Sequence, residues 1–376
     1  MRRINGKLFL ALLLGSVTLT AGVFLVHYFQ YHRIGRALLY QARRAEEQGQ
    51  PARAARYMAR YLEFNPGDLA EKANLARTWA GDAFPPNAKV RLESVRLMDE
   101  VLLNEDNPEL RRLLVKTALG VQDYKMARDH LVRLLGWQEV ENWIQEDRAA
   151  RTKNKPLAAF MAKVDASRGE LEGYWGQIEE ADKKPAEAMA CYRLALRHAP
   201  EVQLNYVRLA YLLRRQNETD PVQRKQNLAD ADVTMEELVR RNPESFDSYL
   251  SRWRYRREFD LLSIRETSNK GQVELELAAE DVAQAIKRRP EALEALLAAA
   301  DLERLRGRAA AEDTSRSTPE RRAALKRHRD LAVAHLRRGL DLVANKRIAA
   351  GDYAAFQLLW HKGNLLLDDL DVQKAQ

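Results

Sequence analysis

Cysteine is nearly missing from this chain: of its 376 residues one is cysteine, Cys191. That count excludes an intramolecular disulfide and a CxxC metal site, and with them a disulfide-stapled secreted module. Glycine (17) and proline (12) are sparse, and alternating runs of Val, Ile and Thr are nearly absent, so strand formers and helix breakers are both scarce. No GxxxxGK[ST] or GxGxxG phosphate loop occurs. No single-sign charge block occurs either: the net charge of +8 is the difference between 62 basic and 54 acidic side chains spread along the chain. Nucleic-acid binders gather base on one face beside a recognisable motif, so a nucleic-acid partner is not expected.

What is present is helical material. Ala, Leu, Arg and Glu dominate, and 46% hydrophobic with 31% charged residues supplies a core and a solvated surface. An all-α fold is expected. The seven histidines (27, 32, 130, 198, 328, 335 and 361) are scattered. His328 and His335 share a helix face about 10 Å apart, too far to hold one metal by themselves, so the histidines read as surface residues. Cys191 reads as an inert buried thiol beside Tyr192. Asp368, Asp369 and Asp371 lack the spacing and glycine of a calcium loop. The expectation is no catalytic residue, metal, cofactor or small-molecule substrate, and hence no enzyme.

The N-terminus has a different character. Residues 1–7 form a tail with Arg2, Arg3 and Lys7 and no acid, and Leu8 to Val26, LFLALLLGSVTLTAGVFLV, carries no charge. As a helix that run is about 28 Å long, close to the ~30 Å hydrocarbon thickness. His27, Tyr28, Phe29 and Tyr31 then fall where an interfacial aromatic belt belongs, and Arg33 and Arg36 follow. Residues 8–29 are expected to be a single-pass transmembrane helix in the inner membrane. A signal peptide cleaved at Thr20-Ala21-Gly22 is the competing reading, but cleavage there strands Val23 to Val26 on the mature chain. The basic tail favours a signal-anchor with the bulk of the chain outside the cytoplasm. Arg33, Arg36, Arg43 and Arg44 argue for the opposite orientation.

Residues 30–376 carry a recurring helix–turn–helix pattern. It is clearest in GYWGQIEEADKKPAEAMACYRLALRHAP, where Trp175 and Gly176 on a first helix are followed by Ala188, Tyr192, Ala195 and Pro200 on and after a second. Other units offer Ala54, Met58, Tyr61 and Pro66; Leu75, Ala76, Trp79, Ser94, Met98 and Val101; and Ala127 and Leu131. Later ones offer Tyr206, Leu209, Ala210, Ala231, Met235 and Pro243; Tyr249, Trp253, Ala278, Val282, Ala285 and Pro290; and Leu296, Ala299, Ala332 and Leu336. Small residues let two helices approach, bulky ones fill the gaps beside them, and proline stops the second helix. The pattern resembles the tetratricopeptide repeat (TPR) family. That resemblance implies a right-handed α-solenoid of helix pairs, A and B, with A lining a concave groove.

Departures from the family pattern are specific. Tyr61 stands where a small residue is expected, which predicts looser packing. Pro66, Pro108, Pro200, Pro243 and Pro290 are read as closing helices. Successive prolines lie 43 (200 to 243) and 47 (243 to 290) positions apart, against the family's usual 34. The excess falls between helices A and B at 82–89, 216–226, 264–272 and 307–321, and is expected to form extended loops. Residues 136–163 fit no repeat. The last unit, around Phe356 to Gly363, has its second helix barely begun at Gln376, so the array is expected to continue past the chain's end.

The resemblance implies a binding scaffold. Groove-facing candidates are Tyr211, Arg214, Arg254, Arg257 and Arg304, whose guanidiniums suit an acidic or C-terminal carboxylate peptide. Abundant arginine serving solubility is the plainer reading of the same residues. Two further functions remain open: a non-catalytic accessory region of a larger envelope protein or enzyme with its functional domain beyond residue 376, and a lipopolysaccharide-assembly-like regulator, whose CxxC module this chain lacks.

Overall fold

The computed structural model describes residues 6–81, 87–135, 166–216, 219–261, 269–345 and 360, and every regular element among them is helical. The helices are α1 (Gly6–Glu47), α2 (Pro51–Phe64), α3 (Leu69–Ala80), α4 (Ala88–Asn104), α5 (Pro108–Gly120) and α6 (Tyr124–Leu135). They continue as α7 (Ala166–Ala181), α8 (Pro185–His198), α9 (Gln203–Arg215) and α10 (Pro221–Arg241). After α11 (Phe246–Arg256) comes a π-helical turn (Arg257–Leu261), then α12 (Asn269–Arg288), α13 (Leu293–Glu312) and α14 (Thr318–Ala344).

Local chemistry sets the boundaries. Pro51, Pro108, Pro185 and Pro221 each open a helix, where the missing N–H is not needed. Asp68, Asn107 and Asp220 accept first-turn amides from Glu71, Leu110 and Val222. Pro108 therefore opens α5 behind its Asn107 cap and does not close α4. Pro66, Pro200, Pro243 and Pro290 do follow helix ends. Three A-to-B turns share one geometry: Gly49, Gln122 and Lys183 have φ of 65°, 62° and 62°. In each, the next amide returns to a carbonyl of the preceding helix (Gln50 to Ala45, Asp123 to Ala118, Lys184 to Glu179), the left-handed ending that closes many helices.

Two compact units are present: residues 1–156 with 174–184, and residues 157–173 with 185–376. In the first, consecutive helices from α1 to α6 pack on one another, and α3 also touches α5. In the second, consecutive helices from α8 to α14 pack on one another, while α9 touches α11 and α11 touches α13. First helices thus neighbour first helices, as TPR-type stacking requires. The small residues expected at the crossings, Ala54, Ala188, Ala195, Ala231, Ala278, Ala285 and Ala332, are fully buried, and the bulky Trp175, Tyr192, Met235 and Leu336 are buried as well.

Several expectations need correction. Tyr61 does not loosen its crossing. It is buried, its hydroxyl donates to Asp68 at 2.7 Å, and Gly35 on α1 provides the missing space: a Cβ there would stand 3.8 Å from the Tyr61 ring and 2.9 Å from Asn65. The extra residues of the later repeats go mainly into helix length. α10 has 21 residues, α12 and α13 have 20 each and α14 has 27. The segment 307–321 is a loop only between Glu312 and Thr318, because Ala309 to Ala311 prolong α13 and a Ser317–Glu320 capping box starts α14. The parts of the other insertions at 82–86, 217–218 and 262–268, the stretch 136–165, and the final unit apart from Trp360 lie outside the described residues.

α1 runs 42 residues without a break, so the helix does not end at the boundary read at residue 29. Its later turns are the first helix of the first pair. Among the described residues no helix is long and apolar enough to cross a membrane. Of the run 8–26, the described side chains are those at 13–20 and 22–25.

Candidate functional site

The richest constellation in the second unit lies where α9, α11 and α13 adjoin. α9 contributes Tyr211, Arg214 and Arg215. The π-helical turn inserts one residue into the helical register, a device frequent at functional sites, and Phe259 and Asp260 sit in that turn. The rings of Tyr211 and Phe259 lie 5.1 Å apart edge to face, and those of Tyr255 and Phe259 5.2 Å apart. Arg214 donates to the Tyr255 hydroxyl at 2.6 Å, to Asp232 at 2.6 Å and to Asp260 at 2.9 Å. Burial works against its charge, but Tyr255, Asp260 and Asp232 outweigh it and hold the guanidinium protonated. Burial, then Glu258, pushes the Tyr211 phenol up to about 12, with Arg215 and Arg254 pulling the other way.

Beneath this layer lies a second network. Asp281 on α12 is completely buried and accepts from Arg252 at 2.6 Å and from Arg256 at 2.9 Å. Both guanidiniums also reach Glu236 on α10. On α13, Asp301 takes Arg257 from the π-helical turn and Arg304 from its own helix, the latter at 2.8 Å. These bonds tie each first helix to its neighbours.

The five candidate residues are therefore brought to one region but differ in state. Arg214, Arg257 and Arg304 are ion-paired within the chain. Tyr211 is half-buried against Phe259 and Tyr255. Arg254 is exposed and has no ion-pair partner among the described residues. The acids Asp232, Asp260, Asp281 and Asp301 were not singled out from sequence. A signal was there: Asp281 sits on the apolar stripe Ala278–Val282–Ala285, where a charge needs a buried partner.

Two histidines read as surface residues have enclosed side chains. His198 meets Glu172 at 2.5 Å with both side chains almost fully enclosed. His130, on α6, has Arg111 on one ring nitrogen at 2.8 Å and Asp99 on the other at 3.0 Å. Arg111 can only donate, so Nδ1 accepts and the ring is neutral. Burial, with Arg111 and Arg133, lowers its pKa below 6.5 against the pull of Asp99. A depressed folded-state pKa means stability complete above 6.5 and lost as pH falls below it. Thermal unfolding should therefore occur at lower temperature as pH drops from 7.5 to 5.5, with a shallower slope in His130→Gln; parallel curves for the two proteins would refute the assignment. Cys191 is buried as expected, and no group of three potential metal ligands occurs among the described residues.

No protein-family model and no curated protein matches the chain. Among solved structures, MamA from Desulfovibrio magneticus RS-1 is 14% identical over 56% of this chain and 97% of its own, with a TM-score of 0.38. PilF from Pseudomonas aeruginosa is 15% identical over 71% of this chain and 96% of its own, with a TM-score of 0.38. YrrB, a TPR protein with an unusual peptide-binding site, is 13% identical over 64% of this chain and 95% of its own, at 0.31. At such scores the helix-pair architecture rests on the contacts within this chain.

Proposed function

We propose that this protein is a membrane-anchored scaffold that holds a protein or peptide partner along the face shared by α9, α11 and α13. The observation that carries the reading is the tie between successive first helices: Arg214 to Asp260 and Arg257 to Asp301 fix this face as one surface. A preformed surface binds at lower ordering cost. On it Arg254 has no ion-pair partner among the described residues, and an acidic segment of the partner is the ligand chemistry it suits. Arg214 and Arg257 act from within by holding the helices in register, and Arg304 is paired with Asp301 on its own helix.

Support for the anchor comes from α1. Leu14, Val17 and Phe24 are 58%, 60% and 72% exposed on a helix whose sequence bears no charge from Leu8 to Val26. Contiguous apolar surface of this kind calls for a covering medium, and a bilayer matches its length. The basic tail at 2, 3 and 7 favours a single-pass arrangement in the inner membrane with the repeats on the non-cytoplasmic side.

Arg254→Glu should weaken partner capture from solubilised membranes at least about tenfold with unchanged helicity and melting, because charge reversal at a docking face acts on binding and not on the core. Equal capture by the variant would remove this face from the account.

A further inference from the structure

The first unit carries a cationic surface that the partner-binding reading does not use. Arg53, Arg56 and Arg60 are exposed on α2 at spacings of three and four, which places them on one helix face. With Tyr57 and Ala59 they line a concavity of about 530 Å³. Arg53 makes only long contacts to Gln50 and Tyr57, and Arg56 one to the Ala52 carbonyl. Arg33 and Arg36 stand exposed on α1. None of these five has an ion-pair partner among the described residues, although Arg43 farther along α1 is paired with Glu71. Glu63 is the one acid on α2.

Their position relative to the apolar run is fixed by packing. α2 folds back on α1 through the turn at 48–50, and Gly35 meets Tyr61, Phe64 and Asn65. The C-terminal end of α2 is thus level with Gly35, about 14 Å beyond Val26 at the helical rise. Arg33 stands about 10 Å beyond Val26, Arg36 about 15 Å, and Arg60, four residues before the end of α2, about 20 Å. A headgroup layer roughly 6 Å deep on each side and a Debye length of about 10 Å together reach Arg33 and Arg36, and an ordinary helix tilt of about 20° toward α2 lowers Arg60 toward the same range. Arg56 and Arg53 lie about 26 Å and 30 Å beyond Val26, near the turn that follows Glu46 and Glu47, and are outside it.

We propose that Arg33, Arg36 and Arg60 form a collar that rests on anionic lipid headgroups and sets the angle at which the chain stands on its bilayer. The inference rests on the anchoring reading. Its occupant is a lipid surface because the collar continues the helix that carries the apolar run, and because three guanidiniums at that level, with Glu63 the one acid of α2, match a phosphodiester sheet.

The test uses the full chain with Ala52→Cys, fluorophore-labelled on α2, in vesicles of phosphatidylcholine alone or mixed with phosphatidylglycerol, with acceptor dye on the headgroups. Energy transfer should rise at least about twofold with phosphatidylglycerol, fall at high salt, and lose its lipid dependence in Arg36→Glu/Arg60→Glu, while all proteins float with the vesicles and keep their helicity. Transfer that ignores phosphatidylglycerol although the chain floats would overturn the collar and leave the anchor standing. Failure of the unaltered chain to float with either vesicle would overturn the anchor, and the collar with it.

Discussion

Asp281→Ala should destabilise the protein by about 3–5 kcal/mol, because it leaves Arg252 and Arg256 as cations at a site built to neutralise them. Asp281 is wholly buried and accepts hydrogen bonds from three guanidinium nitrogens of the two arginines. The remaining acid, Glu236, is more than half exposed and compensates weakly. Asp281→Asn keeps an acceptor and removes the charge, so its smaller loss separates hydrogen bonding from Coulomb attraction. Replacing all three residues with apolar side chains of similar volume should come close to neutral in stability. The network's contribution is then register between α10, α11 and α12, and through it the shape of the partner face. Thermal unfolding in detergent checks this; a loss under about 1 kcal/mol for Asp281→Ala would show that the arginines are solvated without it.

Gly169→Val should cost about 3 kcal/mol or more, at the upper end of overpacking effects. A Cβ at Gly169 would stand 2.6 Å from the Ala199 Cβ and 2.7 Å from its backbone nitrogen. That nitrogen bonds the Ala195 carbonyl at 2.8 Å and closes α8. Side chains can rotate out of the way, whereas the end of a helix cannot, so α7 must move off its neighbour. Gly67→Ala is the control, since nothing lies within 4 Å of its Cβ position. Melting temperatures of the two variants decide it: equal shifts would mean the crossing is loose.

Gly169 also illustrates how far the sequence could be read. The repeat was legible in its small and bulky core positions, since Ala188, Tyr192, Ala231 and Ala278 are fixed by helix-to-helix distance and recur at helical spacing. Lengths between repeats were not, because polarity in 307–321 suggested a loop while Ala309 to Ala311 favour helix as strongly as any residue. Pro108 was ambiguous for a similar reason: proline both ends and begins helices, and only the Asn107 cap tells which. The geometry of the candidate face was legible in part. The arginines named on α9 and α11 are brought to one region, but the acids that hold Arg214, Arg257 and Arg304 come from residues 18 to 46 positions away or from a neighbouring turn, and no local pattern announces such pairs. His130 and His198 looked solvent-facing for the same reason, their partners lying on other helices.

The most direct measurement on the central claim is capture of the partner from solubilised membranes by the unaltered chain, Arg254→Glu and Arg224→Glu side by side. Arg224 is likewise exposed but lies on α10, a second helix. Arg224→Glu should capture as the unaltered chain does, and Arg254→Glu should lose about tenfold or more. Capture equal in all three, or lost only in Arg224→Glu, would contradict a partner held along α9, α11 and α13.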